Sequence, residues 1–408
     1  MTGCLRLIPR FWAVAGLTVL LATGLSATAV AQQGQPAPQA VPVAADVVAP
    51  QGFLAEPAWM ERAAVFADRH LGSGGSSNGF YLSTKSPIQG AGWITIGPGY
   101  RHWYKQDSIF IDGSAGVSWR GYKMAQARLE FPKLLRSRLT LGTMYRWQDF
   151  RAVKTFGEGP DSSEDALASY HLRSQDVVGY ATVPLVRWLT VNANAGILSP
   201  AVRYTQAPEP QFAHGEVSLV ADQRDFPNHP TRGGLVRVAA SRFTDRDSGA
   251  FSFTRYESEV AGFLPLAGSR VVLAMRGWVV ASETGPGQSV PFYLQPTLGS
   301  SHSLRSFSDF RFRDDNLLLA NAEVRVAMFT HLDAVVFADA GNVAGRWRDL
   351  DLGKQSLGAG LRFHTRRDTI ARVDAAHGAE GWRLLFSLSE PLALTRTWRR
   401  TAPTPFVP

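Results

Sequence analysis

Apolar and polar side chains alternate one by one in segment after segment of this chain, from about Ala91 to Glu390. In 189–197 and 320–328 every second position is apolar, and most positions between them are polar. A repeat of two is the spacing of a β-strand with two unlike faces, because successive side chains point to opposite sides. The pattern therefore predicts an all-β fold.

The N-terminus has the layout of a secretory signal peptide. Basic Arg6 and Arg10 precede an apolar run over 11–25, and small residues follow up to Ala31. The apolar run is short for a membrane anchor, since a spanning helix needs about 20 residues. We therefore expect cleavage after Ala31, with residues 1–31 removed. Cys4 lies in that segment, so the mature chain would have no cysteine, which excludes disulfides and thiol catalysis.

The alternation fits a membrane barrel or a soluble β-sandwich, because both have one apolar and one polar face per strand. No later stretch reaches about 18 uninterrupted apolar residues, so any membrane crossing must use strands. The signal peptide, the lack of cysteine and the number of strands favour the barrel. We count about fifteen candidate strands, and because bacterial single-chain barrels have even numbers, the sequence predicts a transmembrane antiparallel β-barrel of about 16 strands at 91–392.

Candidate turns and loops predict the orientation of this barrel. Short turns belong on the periplasmic side and long loops outside. The short candidates are 184–187, 267–269 and 364–368, and the long ones are 156–169, 199–215 and 283–315.

The segment 32–90 is interpreted as a periplasmic linker that contains one short amphipathic helix. Residues 57–70 place four apolar side chains on one side at helical spacing: Trp59, Met60, Ala63 and Phe66. A plug in the lumen, a position on the membrane surface and a cap on the barrel rim are all compatible with this pattern. The G-x-S-x-G match at 75–79 lacks the preceding strand and following helix of a nucleophile elbow, so it does not support a hydrolase.

The last strand has the features by which outer-membrane barrels are recognised for insertion. Gly381, Leu384 and Phe386 follow the spacing of that terminal signal, although its usual upstream polar position is Ala379 here. Residues 393–408 form a basic, proline-containing tail. Disorder is our expectation for the tail, and contact with anionic groups is the alternative.

Other chemistry finds little support in the sequence. The nine histidines are scattered without a zinc motif, and we assign no catalytic, metal or cofactor-binding residue and no cofactor. Acidic residues at 161–165 fit a solvated loop better than a Ca²⁺ site. The formal net charge of +8 is spread singly, which excludes a nucleic-acid-binding face. Mixed charges on the inward face are typical of a hydrated lumen; they include Glu257, Glu259, Glu323, Arg325, Arg372 and Asp374.

Two motifs in the last third resemble those of a known family. They are Leu304-Arg305-Ser306-Phe307 and Phe337-x-Asp339-x-Gly341, and further similar stretches lie at 156–163 and 225–234. With these motifs the chain resembles, over about 100–392, the BamA/TamA superfamily of outer-membrane assembly factors, also called bacterial surface antigens. The resemblance implies that the first motif tips a loop folded into the lumen and that the second lies on the receiving wall. Leu304 and Ser306 depart from the family's Val and Gly, and Ser tolerates a positive φ less readily.

Arg305 and Asp339 are the contact that we predict between the two motifs. A guanidinium inside a lumen loses water unless it finds a carboxylate, and Asp339 shares an inward face with Phe337 and Gly341. From the residues alone, the favoured interpretation of Arg305 is a solvated charge on an outer loop that also carries Arg311, Arg313 and Asp314. The resemblance favours the internal pair.

Three functions remain. The resemblance implies a barrel that inserts or translocates proteins or lipids in the bacterial outer membrane, with a weak seam between the first and last strands. The expected partners are outer-membrane lipid and lipopolysaccharide, the barrel-assembly machinery that inserts the chain, and client proteins or lipids. About sixty residues between Ala31 and the first strand are too few for an ordinary POTRA domain beside the linker, which predicts a barrel-only member. A passive channel or structural barrel is the second function and an outer-membrane hydrolase the third; we expect no enzyme.

Overall fold

The structure is a computed structural model that describes residues 52–70, 78–84, 87–88, 91–92, 94–203, 209–388, 390 and 392. The predicted signal peptide, most of the linker before the helix, residues 75–77 of the G-x-S-x-G match and the tail at 393–408 lie outside these residues.

In the described part of the chain, sixteen strands form one antiparallel sheet in sequence order, and two short strands form a separate pair inside one loop. The strands are β1 (Gly79–Ser83), β2 (Thr95–Tyr104), β3 (Ile109–Ser118), β4 (Lys123–Lys133), β5 (Leu139–Thr155), β6 (Ala168–Val186), β7 (Leu189–Arg203), β8 (Phe212–Asp222), β9 (Gly233–Asp245), β10 (Phe253–Pro265), β11 (Val271–Thr284), β12 (Thr297–Leu298), β13 (Phe312–Arg313), β14 (Asn316–Phe329), β15 (Leu332–Ala344), β16 (Lys354–His364), β17 (Thr369–Gly378) and β18 (Gly381–Ser387). β12 pairs with β13, and all others belong to the large sheet. The predicted all-β architecture of about 16 strands is confirmed.

The polar face of the sheet is the enclosed one. On β14 and β15 the charged residues Glu323, Arg325 and Asp339 are buried. Val336, which lies opposite Val324 on the other face of the sheet, is 58% exposed. Large apolar side chains on other strands also face outward, among them Phe80 and Trp382. A soluble sandwich buries its apolar face, so this inverted arrangement is that of a barrel whose outer surface meets lipid.

The connections alternate between the two ends of the sheet because sequential strands pair antiparallel. One end, the short-turn end, has the connections 187–188, 266–270 and 365–368; the other, the long-loop end, has 156–167 and 285–315. The long loops are shorter than the sequence predicted, because β6, β7, β8 and β11 extend into the predicted loop segments. Among the described residues, no hydrogen bonds pair β1 with β18.

The predicted N-terminal helix is present as α1 (Ala58–His70), and a second helical turn, α2 (Leu134–Ser137), joins β4 to β5. The buried face of α1 consists of Met60, Ala64 and Ala67, whereas Trp59 and Phe66 are about 60% exposed. Of the apolar residues noted at helical spacing, Met60 is therefore buried, whereas Trp59 and Phe66 are exposed.

The chain before α1 is held at the short-turn end, where the Phe53 N–H donates to the Ala327 carbonyl at 3.0 Å. Glu56 pairs with His331 at 2.7 Å at the same end. No helix in the described part of the chain is long and apolar enough to cross a membrane.

Candidate functional site in the lumen

The connection between β11 and β14 turns back into the space enclosed by the sheet. Nearly all side chains from Val290 to Arg313 are buried, although they belong to the longest connection in the described chain. A 3₁₀ turn at Phe292–Leu294 and the β12–β13 pair stiffen this segment, which we call the lumen loop (residues 285–315). The predicted loop folded into the lumen is therefore present.

The tip of the lumen loop is a turn over Leu304–Phe307. The Phe307 N–H donates to the Leu304 carbonyl at 3.2 Å. Leu304 and Phe307 are almost fully buried and belong to one apolar cluster with Trp278 and Leu319 of the wall. Phe307 also meets Phe312 of the same loop edge-on, with ring centroids 5.1 Å apart.

Arg305 projects from this turn onto the wall and is 1% exposed. Its Nε and Nη2 donate to the two carboxylate oxygens of Asp339 at 2.9 and 2.6 Å, and its Nη1 donates to Glu323 at 2.5 Å. The Arg305 backbone N–H also donates to Asp339, at 3.2 Å, and the guanidinium stacks on the Phe337 ring at 3.4 Å. Burial by itself would lower the pKa of Arg305, but the carboxylates of Asp339 and Glu323 outweigh it and raise the pKa. The arginine is therefore charged.

The carboxylate of Glu323 is shared, and sequence reasoning did not identify it as a partner of Arg305. It also accepts from Arg325 at 3.0 Å and Arg362 at 3.2 Å, and Arg362 continues to Asp374 at 2.5 Å. The alternation had placed Glu323 on the inward face, but strand register alone decides which inward charges meet. The loop tip thus enters a preformed network of charges on β14 to β17.

Wall arginines also hold the backbone of the loop. Nη1 of Arg276 donates to the His302 carbonyl at 2.8 Å, and Arg372 donates to the Ser301 carbonyl. Asn321 donates to both the Ser303 carbonyl and Asp339. These bonds satisfy carbonyls that burial removes from water.

Ser306 stands where the family has glycine, but its backbone is not left-handed. Within the lumen loop, Phe310 is the one non-glycine residue with a positive φ. Ser306 Oγ lies 2.6 Å from Oγ of Ser356 on the wall. Gly378 makes room for it: a Cβ at Gly378 would lie 2.2 Å from Ser306 Oγ. Gly341 is also closely packed, since a Cβ there would lie 2.5 Å from the Leu318 carbonyl.

The terminal-strand residues do not gather at this site. Gly381 opens β18 with φ 93°, and Leu384 faces outward with 70% exposure. Phe386 follows on the same strand face and is half-buried. Their role as an insertion signal stays a prediction.

A sixteen-stranded barrel with a charged loop anchored in its lumen defines a class of outer-membrane-type barrels. A family model described as the Omp85 superfamily domain matches residues 118–366, and the chain belongs to that superfamily, whose members are bacterial outer-membrane proteins. A comparison with curated protein sequences gave no significant match.

Solved structures share the fold at low sequence identity. The crystal structure of BamA from Haemophilus ducreyi lacking POTRA domains 1-3 aligns with a TM-score of 0.58 and 14% identity, covering 76% of this chain and 69% of that one. CdiB from Escherichia coli aligns with a TM-score of 0.50 and 13% identity, covering 76% and 61%, so this chain spans less than two thirds of that protein.

Proposed function

We propose that this chain is an outer-membrane barrel that inserts or translocates proteins or lipids, and that the seam between β1 and β18 is its working element. The single observation that carries the proposal is the charged anchor of the lumen loop, in which Arg305 makes four hydrogen bonds to Asp339 and Glu323. A loop that fills the lumen favours work at the wall and seam over passive flow through the centre. Membership of the Omp85 superfamily supports the same choice.

The two strands at the seam support a role in lateral opening. β1 has five residues and β18 has seven, so both are among the shortest strands of the sheet. Their outward side chains are strongly exposed, with Phe80 at 87% and Leu82 at 52% on β1. Because no hydrogen bonds pair β1 with β18 among the described residues, opening there breaks none of the sheet's hydrogen bonds, whereas separation of two other neighbouring strands would.

The test is a reconstituted reaction in liposomes with a locked seam. We would measure folding of an added unfolded outer-membrane barrel and transfer of a fluorescent lipid between leaflets. The double variant Leu82→Cys/Leu384→Cys is bridged across the seam with a flexible bismaleimide. The control Ala375→Cys/Leu384→Cys bridges residues that are already opposite each other in β17 and β18. Because the only cysteine of the chain, Cys4, lies in the predicted signal peptide, the background is clean.

Loss of either activity in the bridged seam variant, with activity kept in the bridged control, supports the proposal. Equal activity in both bridged variants contradicts a working seam. A native chain that accelerates neither reaction over empty liposomes overturns the proposed function.

A further inference from the structure

Three side chains that are remote in sequence meet at the short-turn end of the barrel. His229 belongs to the β8–β9 connection, Asp333 is the second residue of β15 and His364 is the last residue of β16. All three are buried, and one ligand atom from each lies within 4.8 Å of the others. They line a small cavity with Thr231, Arg270 and Arg325.

The β8–β9 connection reaches this place by crossing the mouth of the barrel. Four strands separate β9 from β16 in the sheet. Nevertheless Asn228 donates to Asp368 at 2.5 Å, and the Thr369 N–H donates to the Asn228 carbonyl at 3.1 Å. These bonds carry His229 onto His364, and the two rings stack with centroids 3.8 Å apart.

Hydrogen-bond partners fix the tautomer of both histidines. Nδ1 of His364 lies 2.9 Å from the Thr365 carbonyl, which can only accept, so this nitrogen carries the proton. Nδ1 of His229 lies 3.2 Å from Thr369 Oγ1, whose one hydrogen is donated to Glu390 at 2.9 Å. His229 Nδ1 is therefore a donor as well. In the neutral rings both Nε2 atoms then present lone pairs.

The two lone pairs converge on a third acceptor. His364 Nε2 lies 3.2 Å from one oxygen of Asp333, and His229 Nε2 lies 3.6 Å from the other. Acceptors at such distances repel each other unless a cation lies between them. A proton on His364 alone would satisfy its contact with Asp333 but would leave the His229 lone pair facing the other carboxylate oxygen. Protons on both rings would put two positive charges in stacked contact, in a cavity also lined by Arg325. A divalent metal ion satisfies all three acceptors at once.

We propose that His229, Asp333 and His364 form a binding site for a zinc-like divalent metal ion, which clamps the β8–β9 connection across the mouth of the barrel. Tetrahedral zinc with bonds of about 2.0–2.1 Å sets its ligand atoms about 3.3 Å apart, between the two observed separations. Two imidazoles and one carboxylate are a ligand set of Zn²⁺, and each imidazole has the outer partner that such ligands require. Arg325 does not repel the ion strongly, because it is paired with Glu323 and Glu390.

Binding requires one local adjustment. Each Nε2 lone pair lies in the plane of its ring, and the two stacked planes are only 14° apart, so the lone pairs do not meet at one point near the rings. An ion turns the two rings apart to bring both lone pairs to one point, and the χ2 torsion of histidine is soft enough for this change.

The experiment is zinc binding to the untagged, folded mature chain, by competition with a chromophoric chelator. One ion per chain is expected. His229→Gln, Asp333→Asn and His364→Gln should each weaken binding more than about 100-fold, because loss of an outer partner alone costs about 10- to 100-fold. Thr369→Val, which removes only the outer partner of His229, should weaken zinc binding by about 10- to 100-fold. His331→Gln is the matched control, since His331 lies at the same end but pairs with Glu56.

X-ray absorption on the zinc-loaded native chain needs no variant and should count two imidazole ligands. A folded native chain that binds no zinc overturns the site. Affinity unchanged in all three ligand variants, or an imidazole count other than two, overturns it equally.

Discussion

Arg305 holds the lumen loop by an ion pair from which water is excluded, and the energetics of such pairs are asymmetric. Forming a buried pair gains little over an apolar contact, but removing one partner leaves a buried charge without compensation. Glu323 would keep Arg325 and Arg362 as partners, whereas Asp339 would keep only the neutral Asn321 among the contacts described above. The cost of losing Arg305 therefore falls mainly on Asp339.

Arg305→Ala should weaken docking of the lumen loop by about 3–5 kcal/mol, the usual cost of breaking a buried pair. The measurement is the rate of trypsin cleavage within 285–315 on the folded barrel, which should rise steeply. Arg346→Ala is the control: Arg346 pairs with Asp349 in an exposed loop, and such surface pairs contribute about 0–1 kcal/mol. Similar cleavage rates in the native chain and Arg305→Ala would show that the pair does not hold the loop.

Gly378 explains how Ser306 is tolerated where the family has glycine. Gly378→Ala would force its methyl group against Ser306 Oγ and near the Gln355 carbonyl, and overpacking of this kind costs about 1–3 kcal/mol. The free energy of unfolding, measured in urea, should fall by this amount. The double variant Ser306→Gly/Gly378→Ala should recover part of it, since the Gln355 carbonyl at 2.8 Å remains.

Gly113→Ala serves as the control for this substitution, because a Cβ at Gly113 meets nothing within 4 Å. If Gly378→Ala and Gly113→Ala unfold at the same urea concentration, the close packing of Gly378 against Ser306 does not contribute to stability.

At the scale of one element, β6 shows how the outer surface of the barrel changes along a strand. Val177 and Leu185 are outward and half-exposed, and Ala181 has the same parity midway between them. Above this band Gln175 accepts from the Tyr145 hydroxyl at 3.2 Å, and below it lies exposed Trp188. Polar and aromatic residues at both edges mark an apolar band of the kind that meets lipid.

Ala181→Arg should destabilise the folded barrel in lipid by about 2–4 kcal/mol, whereas Leu185→Arg should cost about 0–1 kcal/mol, because the cost of a charge falls from the bilayer centre to the interface. Reversible unfolding in liposomes measures both values with the same new side chain on the same strand. Equal costs at the two positions would refute the assignment of this band to the membrane.

The elements also show what sequence could and could not predict. The strands and α1 were predicted from periodicity, whereas the entry of the loop into the lumen was predicted from the family resemblance of two short motifs. The sequence did not identify which face of α1 is buried, because hydrophobicity ranks Trp59 above Ala64 whereas close packing selects the smaller residue. His229 and His364 gave no metal motif, since they meet only after the β8–β9 connection crosses the mouth.

For the whole molecule, the decisive feature is the number of charges buried inside the barrel. Among the described residues nine arginines are at most 3% exposed, and six of them pair with carboxylates: Arg237, Arg276, Arg305, Arg325, Arg362 and Arg372 are paired, and Arg146, Arg255 and Arg313 complete the nine. Inward carboxylates such as Glu216 and Glu257 pair with Arg237 at 2.6 and 3.2 Å. An open channel needs a continuous hydrated path, and we expect the lumen loop, which this network holds in place, to obstruct that path.

The native chain in planar bilayers should therefore show low or flickering conductance. Arg305→Ala should raise it, because the undocked loop tip leaves the lumen while the wall charges remain to hydrate a path. Single-channel recording of the refolded mature chain is the measurement, with Arg346→Ala as the variant that should behave like the native chain. Large, steady conductance in both the native chain and Arg305→Ala would mean that the loop does not block the lumen, and the chain would then be an ordinary open pore.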